Sequence, residues 1–409
     1  MRILHTSDWH IGRTFHGHST DAHLSQVLVA IADAVAEHHI DVVLVAGDIF
    51  DTSTPKADAF TMLNDAVRAI REAGAQVILT SGNHDGPARL GHMAEFAAFG
   101  GVHIKADLAS LATPVLLDDA AGHIAIYGIP YIHPEFLRAA YADFTGNTHA
   151  AALTFAMDLI RTDASSRADA LPPADAPAGQ APGSPRYVVA AHCFASTVKE
   201  TPPETKEDNG ATEERDITRG GLDLVPTSVF DGPDYVALGH IHGRTTFTER
   251  VRYSGAPLRF SFGEKDKPRG AWIVEIGPDG LQTVEWFDLP TPRPVARLKG
   301  GIDDLLAPGA YQDERDAWVD IVLTDDTMPL DAMRRCQAKF PHAVTLTHRP
   351  ANVTEKTGET YAERVAGKSD TQIVHEFLEF VRNGDGPSEQ EESLIADALA
   401  AIDAKESAK

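Results

Sequence analysis

Five short polar segments each follow a stretch of apolar residues that is typical of a buried strand. Their side chains are carboxylates, imidazoles and a carboxamide, all of which can coordinate a metal ion. No cysteine is needed to complete the set, which points away from a structural zinc site. In α/β sheets, ligands bind at the carboxyl ends of the strands, so the segments are expected to converge on one crevice. They are Asp8-Trp9-His10, Gly47-Asp48-Ile49-Phe50-Asp51, Gly82-Asn83-His84-Asp85, Ala191-His192-Cys193 and Gly239-His240-Ile241-His242.

The spacing within these segments predicts paired ligands. Asp8 and His10 are two residues apart, so in an extension of the strand their side chains face the same way and could bind one ion. His240 and His242 have the same spacing. Gly47 would let the backbone turn sharply at the sheet edge, just before the next carboxylate.

The number of candidate ligands predicts two metal ions. Seven side chains are too many for one ordinary ion and suit two ions that share a bridging carboxylate. Two metal ions roughly 3.5–4 Å apart clamp the attacking and leaving oxygens of an in-line phosphoryl displacement, so the predicted chemistry is phosphoester hydrolysis. The neutral amide oxygen of Asn83 keeps the site from being too negative to admit phosphate. The candidates are Asp8, His10, Asp48, Asn83, His192, His240 and His242.

Each segment alone also has an ordinary structural explanation. Asp-x-His and Gly-His-x-His pairs arise by chance, and Gly-Asn-His-Asp could be a tight turn capped by the asparagine side chain. Asp51 could do no more than fix its loop, and Asp85 could do no more than orient His84. Five such segments in one order, each at a strand end, are improbable by accident, which favours the metal site.

Alternating strand and helix patterns in the first half of the chain would position these residues. Helical apolar repeats of 3.6 residues lie between the first predicted strands, which is typical of an α/β fold with a largely buried sheet. Thr162–Arg186 is rich in Ala and Pro and predicts a mobile insertion loop, and Thr197–Gly221 is a second polar stretch. The predicted strands are 2–6, 41–46, 76–80, 124–127, 187–191 and 235–238.

The pattern starts afresh after Pro290. Three strand patterns with helical stretches between them predict a small α/β unit of about 60 residues. A polar linker, Ala351–Ser369, precedes two helical patterns that end the chain. We therefore expect a domain at 1–288, an α/β domain at 292–350 and a helical hairpin at 370–405.

Composition excludes several classes of protein. The 409 residues are 43% hydrophobic and 23% charged, close to globular usage, which excludes wholesale disorder. The 36 basic and 60 acidic residues give a net charge of −24, which argues against gripping nucleic acid through bulk positive charge. No apolar run is long enough to cross a membrane, and the first residues do not form a secretory signal. With two widely spaced cysteines, we expect a cytoplasmic protein without disulfides.

The ordered motifs resemble those of the calcineurin-like metallophosphoesterases. The stretches HTSDWHIGR, GDIFDTSTP, SGNHD, ERDITRGG, YVALGHIHGR and YSGAPLRFSFGE are more narrowly similar to the SbcD-type nucleases of bacteria. The resemblance is strong from Met1 to about Asp288. It implies an α/β fold with a β-sandwich flanked by helices, a small α/β capping domain and a C-terminal helical hairpin for partner docking.

The resemblance also implies roles for individual residues. Asp8, His10, Asp48 and His242 would hold one ion, and Asp48, Asn83, His192 and His240 the second. His84 would be a catalytic histidine that is not a ligand, with Asp85 orienting it. Asp51 stands where archaeal and eukaryotic relatives have a histidine, so a second catalytic histidine is not expected.

Activity and partners follow from the same resemblance. It implies a DNA nuclease with two Mn²⁺ ions, for which Mg²⁺ is a possible substitute, with double-strand 3′→5′ exonuclease and hairpin-opening endonuclease activity. The implied partner is an SbcC-like SMC-type ATPase, joined by a homodimer of this chain in a heterotetramer that processes DNA. A small-molecule phosphodiesterase or nucleotidase stays open as an alternative. So does a non-catalytic scaffold, although a scaffold predicts eroded ligands and all seven positions are filled.

Overall fold

A computed structural model of the chain describes residues 1–170, 185–197, 224–351, 365, 367–382, 384 and 386–406. The chain divides into two compact units, Met1–Pro292 and Arg293–Lys409. Most of the predicted polar stretch at 197–221, including the motif at 214–221, lies outside the described residues, as does most of the predicted linker at 351–369. None of the described helices has both the length and the apolar character of a membrane span.

The first unit contains two large sheets and six helices among its described residues. Its strands are β1 Arg2–Thr6, β2 Thr14–Phe15, β3 His18–Ser19, β4 Val42–Ala46, β5 Gln76–Thr80, β6 Val102–Lys105, β7 Val115–Asp119, β8 Gly122–Ile129, β9 Tyr187–His192, β10 Phe194–Ser196, β11 Leu224–Pro226, β12 Tyr235–Gly239, β13 Thr245–Thr246, β14 Val251–Tyr253, β15 Gly270–Gly277 and β16 Gly280–Asp288. Its helices are α1 Asp21–His38, α2 Ala57–Glu72, α3 Pro87–Leu90, α4 Ala94–Phe99, α5 Pro134–Ala140 and α6 His149–Ala170.

Each large sheet has a run of four parallel strands, flanked by antiparallel strands on one side in the first sheet and on both sides in the second. One has the order β16-β15-β1-β4-β5-β6, in which β1, β4, β5 and β6 run parallel. The other has the order β13-β14-β12-β9-β8-β7, in which β14, β12, β9 and β8 run parallel. The predicted strands of the first half are all present, with ends that differ by up to two residues.

The two sheets pack face to face and carry helices on their outer faces. Ile3, Val42 and Ile78 of one sheet share a buried cluster with Val188 and Ala237 of the other. The outer face of the first sheet packs on the apolar stripes of α1 and α2, and the outer face of the second packs on α6. This is the predicted sandwich flanked by helices, and it explains why the central strands are apolar on both faces.

The prediction of an insertion loop beginning at Thr162 is wrong for the residues up to Ala170, which continue α6. Alanine is the strongest helix former, and Ala164 packs into the core of the second sheet. Asp163 ties the helix to the sheet, because its Oδ2 accepts a hydrogen bond from the Tyr127 hydroxyl at 2.7 Å. Residues 171–184 of the predicted loop lie outside the described residues.

The second unit begins with three parallel strands, β17 Val295–Gly300, β18 Trp318–Leu323 and β19 Ala343–His348. Helices α7 Ile302–Leu306 and α8 Ala332–Lys339 contribute to the apolar cluster of this sheet. Two helices follow, α9 Asp370–Val381 and α10 Glu389–Glu406. Ser369 starts α9 with a capping box, and Arg382 pairs with Glu391 of α10 through two hydrogen bonds of 2.9 and 2.7 Å.

Candidate metal centre

All five polar segments follow strands of the two parallel runs. Asp8, Asp48 and Asn83 come after β1, β4 and β5, which are adjacent in the first sheet. His192 ends β9 and His240 follows β12, which are adjacent in the second. Since parallel strands deliver their carboxyl ends to the same edge of a sheet, the segments meet there.

The backbone that carries the aspartates and histidines is not an extension of the strands, so that part of the prediction is wrong. Asp8, His10, Asp48 and His240 all have positive φ angles, of 54°, 45°, 50° and 112°. The loops after β1 and β4 hold this conformation by pairing with each other: the amide of Asp8 donates to the Gly47 carbonyl at 3.0 Å, and that of His10 to the Asp48 carbonyl at 2.9 Å. Non-glycine residues in this region are strained and cluster at functional sites.

One group of donor atoms is formed by Asp8, His10 and His242, whose atoms lie within 4.8 Å of one another. His10 Nε2 and His242 Nε2 are 3.1 Å apart. The Asp8 carboxylate is fully buried and accepts a hydrogen bond from the backbone amide of His240 at 3.0 Å. Two imidazole nitrogens and a buried carboxylate thus face one small space.

Asp48 lies between this group and a second one. Its Oδ2 is 3.5 Å from His10 Nε2 and 3.3 Å from His192 Nε2, while its Oδ1 accepts a hydrogen bond from the His84 amide at 2.9 Å. Asn83 Oδ1 lies 3.0 Å from both His192 Nε2 and His240 Nδ1. The structure therefore brings all seven predicted ligands together, with Asp48 central.

Two glycines leave the space that these side chains fill. A Cβ on Gly47 would lie 2.2 Å from His192 Nδ1, and one on Gly82 would lie 2.1 Å from Asp48 Oδ1. Gly47 also has a φ of +85°, as the predicted sharp turn requires.

His84 borders the site, but its orientation comes from Asp51 and not from Asp85. The Asp51 carbonyl accepts a hydrogen bond from His84 Nδ1 at 2.8 Å. The Asp85 carboxylate instead accepts bonds from the amides of Gly82, Ile49 and Phe50 at 2.9, 3.1 and 2.8 Å. Asp85 is buried because it ties the loop after β5 to the loop after β4, and that occupies both of its oxygens.

The Asp51 side chain lies behind His10. Its Oδ1 is 3.3 Å from His10 Nδ1 and 3.3 Å from Arg13 Nη1. A carboxylate in this position orients the imidazole so that its other nitrogen points to the site. Asp51 therefore contacts a candidate ligand as well as its own loop.

Glu264 supports His242 in the same way, and the sequence interpretation missed it. It is almost fully buried, and its Oε1 is 3.2 Å from His242 Nδ1 while its Oε2 pairs with Arg269 at 2.5 Å. Burial alone would raise the pKa of Glu264, but the hydrogen bond from His242 and the Arg269 charge lower the pKa to about 2. The sequence feature that could have identified Glu264 is its position as the single carboxylate at the end of the YSGAPLRFSFGE stretch.

Burial and charge set different protonation states for the clustered histidines. Burial lowers the pKa of His10, and it lowers the pKa of His240 to about 3. Burial would do the same to His192, but the Asp48 carboxylate raises its pKa to about 9, and His192 lowers the pKa of Asp48 in return. Burial raises the pKa of the adjacent Cys193 to about 12, so its thiol is protonated at neutral pH in the metal-free protein.

This fold and site define a class of protein. Residues 1–145 match the calcineurin-like phosphoesterase family, so the first unit carries a calcineurin-like phosphoesterase domain, and the protein is a hydrolase of phosphodiester bonds that binds divalent metal. More particularly, the chain is similar to SbcD, a component of the SbcCD nuclease. It is 29% identical over 365 residues to that protein from Escherichia coli strain K12 and to that from E. coli O157:H7, covering 87% of each chain. The resemblance inferred from the motifs is confirmed.

The chain has two further similarities, one to a family in its C-terminal part and one to a solved structure. Residues 291–382 match a family described as the type 5 capsule protein repressor C-terminal domain. The crystal structure of TT1561 of Thermus thermophilus matches 70% of this chain and 98% of its own, at 11% identity and a TM-score of 0.37.

The donor set fits divalent cations. Asp8 and Asp48 are buried carboxylates, and buried charges in proteins are paired or coordinate metals. Around them are imidazole nitrogens and one amide oxygen, and such a mixture of N and O donors suits divalent transition-metal ions better than calcium.

Proposed function

We propose that this protein is a Mn²⁺-dependent DNA nuclease that acts with an SMC-type ATPase resembling SbcC. The observation that carries the proposal is the convergence of seven N and O donors on one edge of a calcineurin-like phosphoesterase domain. Its similarity to SbcD of the SbcCD nuclease supports DNA as the substrate. The activities we expect are double-strand 3′→5′ exonuclease and hairpin-opening endonuclease, in DNA repair and recombination.

Seven side chains would hold two cations that share the Asp48 carboxylate. Bound there, two divalent cations clamp the attacking and leaving oxygens of an in-line displacement at phosphorus. The mixed donors favour Mn²⁺, with Mg²⁺ as a possible substitute. The first set is Asp8, His10, Asp48 and His242, and the second is Asp48, Asn83, His192 and His240.

His84 would exchange a proton with the leaving-group oxygen. The Asp51 carbonyl can only accept, so His84 Nδ1 carries a hydrogen and Nε2 is the nitrogen that can hold or give up a proton. Its side chain is 38% exposed, so substrate can reach it. Asp85 would act by positioning the loop of His84.

The C-terminal helices would dock the ATPase. Phe377 and Phe380 on α9 and Leu394 and Ile402 on α10 are all exposed by more than 40%. Exposed apolar clusters of this kind mark partner surfaces, and an apolar helix face suits a helix of a partner. We expect two copies of this chain in the complete assembly with the ATPase.

The first test measures metal content and cleavage together. Purified protein should carry about two Mn²⁺ ions and should degrade linear double-stranded DNA as well as bis-p-nitrophenyl phosphate. Asp48→Ala should lose both ions and both activities, while His242→Ala should mainly disturb one ion. Hydrolysis of the small ester without DNA cleavage would favour the small-molecule phosphodiesterase, and metal-free protein without either activity would favour the scaffold.

The second test concerns the partner. Truncation after Ser369 removes α9 and α10 and should abolish co-purification with the ATPase, while Mn²⁺ binding and small-ester hydrolysis stay intact. Undiminished pull-down of the ATPase by the truncated chain would place the main docking site elsewhere.

A further inference from the structure

A cavity of about 390 Å³ opens beside Asn83 in the first unit. It lies between the loop after β5 and the segment that leads from β8 into α5, and its lining includes Asn83, Leu108, Pro130, Tyr131, His133 and Phe136. Its volume is in the range of pockets that hold small organic groups. One end of the cavity therefore borders the metal centre.

Aromatic rings form one continuous wall from the metal centre into this cavity. The Tyr131 ring lies 6.3 Å from the His240 ring, with an angle of 30° between the planes, and 6.2 Å from the His192 ring. His133 follows at 4.9 Å from Tyr131 and Phe136 at 5.4 Å from His133, both edge to face, with angles of 78° and 76° between the ring planes. A flat group attached to a substrate at the metal centre would meet these rings.

The aromatic wall is anchored near the metal centre, at Tyr131, and is exposed to solvent at its other end, at Phe136. The Tyr131 amide donates a hydrogen bond to the Ser81 carbonyl at 2.8 Å, which anchors Tyr131 next to the loop that carries Asn83. Phe136 is 60% exposed although it lies on a helix with a buried face. A large aromatic side chain exposed at the mouth of a cavity is available to a ligand.

The charge of the cavity lining disfavours a phosphate group inside the cavity, in addition to the one at the metal centre. None of its described residues is a lysine or arginine, whereas Asp85 and Asp107 are both present. An anion would be repelled there, but an uncharged flat heterocycle would not. Stacking on aromatic rings is how proteins bind bases without reading their sequence.

We propose that this cavity is a nucleobase subsite, in which Tyr131 and Phe136 stack on the base of the nucleotide whose phosphate lies at the metal centre. The proposal rests on the proposed nuclease function and adds a binding contact to it. It makes the flanking base, and not the phosphodiester alone, a determinant of substrate binding.

The test compares two ligands that differ only in the base. Mn²⁺-loaded full-length protein is titrated calorimetrically with 2′-deoxyadenosine 5′-monophosphate and with 2-deoxyribose 5-phosphate. The wild-type protein should bind the nucleotide roughly 5- to 100-fold more tightly, the range expected for one stacked base. Phe136→Ala should reduce this ratio several-fold and leave the dissociation constant of the sugar phosphate unchanged. Tyr131→Leu, which keeps apolar volume but removes the ring, should do the same.

Phe96→Ala is the matched control. Phe96 is 63% exposed, close to Phe136 in its exposed fraction, but does not line the cavity, so the ratio should stay at the wild-type value. A wild-type ratio near one, or a ratio unchanged in both Phe136→Ala and Tyr131→Leu, would overturn the subsite. A ratio near one in a protein that still cleaves DNA would overturn the subsite alone. Failure of both ligands to bind would overturn it together with the proposed metal centre.

Discussion

Gly47→Ala is the most direct test of the site geometry. The added Cβ would lie 2.2 Å from His192 Nδ1, whereas ordinary contacts begin at 3.4 Å, so the ring must move by about 1.2 Å. That movement would break the hydrogen bond from His192 Nδ1 to the Ala46 carbonyl, now 2.9 Å. It would also carry Nε2 away from Asp48 and Asn83. A misplacement of about 1 Å can lower a rate by about 100-fold.

The substitution also strains the backbone, and a second glycine separates the two effects. Gly47 has a φ of +85°, and Gly74 has a φ of +110° with nothing within 4 Å of its Cβ position. Gly74 lies just before β5, at the end of the strand opposite to the site. Alanine at either position costs about 1–2 kcal/mol of backbone strain, but only Gly47→Ala displaces a candidate ligand.

The assay measures hydrolysis of bis-p-nitrophenyl phosphate in Mn²⁺ together with thermal unfolding and bound metal. We expect Gly47→Ala to lose more stability than Gly74→Ala, because a buried clash is added to the shared backbone strain. Gly74→Ala should keep wild-type activity, and Gly47→Ala should lose about 100-fold in rate with weaker metal binding. If Gly47→Ala hydrolysed the ester within threefold of the wild-type rate, His192 would not lie at the reacting centre.

Three further predictions test single residues. His84→Gln should retain both metals and lower the chemical step by roughly 10²–10⁴-fold, and loss of bound manganese would instead make His84 a ligand. His192 has a pKa of about 9 in the metal-free protein, so metal binding near pH 7 should release about one proton, measurable by calorimetry in buffers of different ionisation enthalpy. Because that pKa is raised above the unfolded value of 6.5, the pairing with Asp48 stabilises the metal-free protein fully below pH 6.5 and is lost as the pH rises through 9. Metal affinity should rise about tenfold per pH unit from about pH 6.5 to about pH 8 and should level off as the pH passes 9, and pH-independent binding would contradict this. Glu264→Gln should weaken one of the two ions by roughly 10- to 100-fold, and an equal loss of both would mean that Glu264 supports the fold and not His242.

The sequence predicted which strands deliver the site because the determinants are local. Buried parallel strands appear as short β-branched runs, and each ends where polar residues begin, as Val42–Ala46 does before Asp48. The turn at Gly47 was predictable for the same reason, since only glycine adopts its backbone angle without strain.

The parts that sequence reasoning missed depend on contacts between distant segments. The left-handed backbone of Asp8 and His10 is held by pairing with the loop after β4. Asp and His adopt this conformation more often than most residues, but that preference is too weak to predict it without the pairing. The orientation of His84 by a backbone carbonyl, and of His242 by a glutamate 22 positions away, is equally invisible in the spacing. The helix through Thr162–Ala170 was missed because the proline-rich residues after it dominated the composition of the window.

The negative net charge of the chain affects how DNA would reach the metal centre. A net charge of −24 opposes the approach of DNA, and Asp8 and Asp48 add two buried negative charges where the scissile phosphate must lie. Divalent cations held between these carboxylates would reverse the sign of the charge at that one point, although the net charge of the chain is negative. On the proposed function, cleavage is then confined to protein that has its metals, and the partner would raise the rate of cleavage by holding DNA near the site. An acidic chain is compatible with the proposed nuclease function, because the partner can supply the non-specific electrostatic attraction to DNA that basic residues provide in other nucleases.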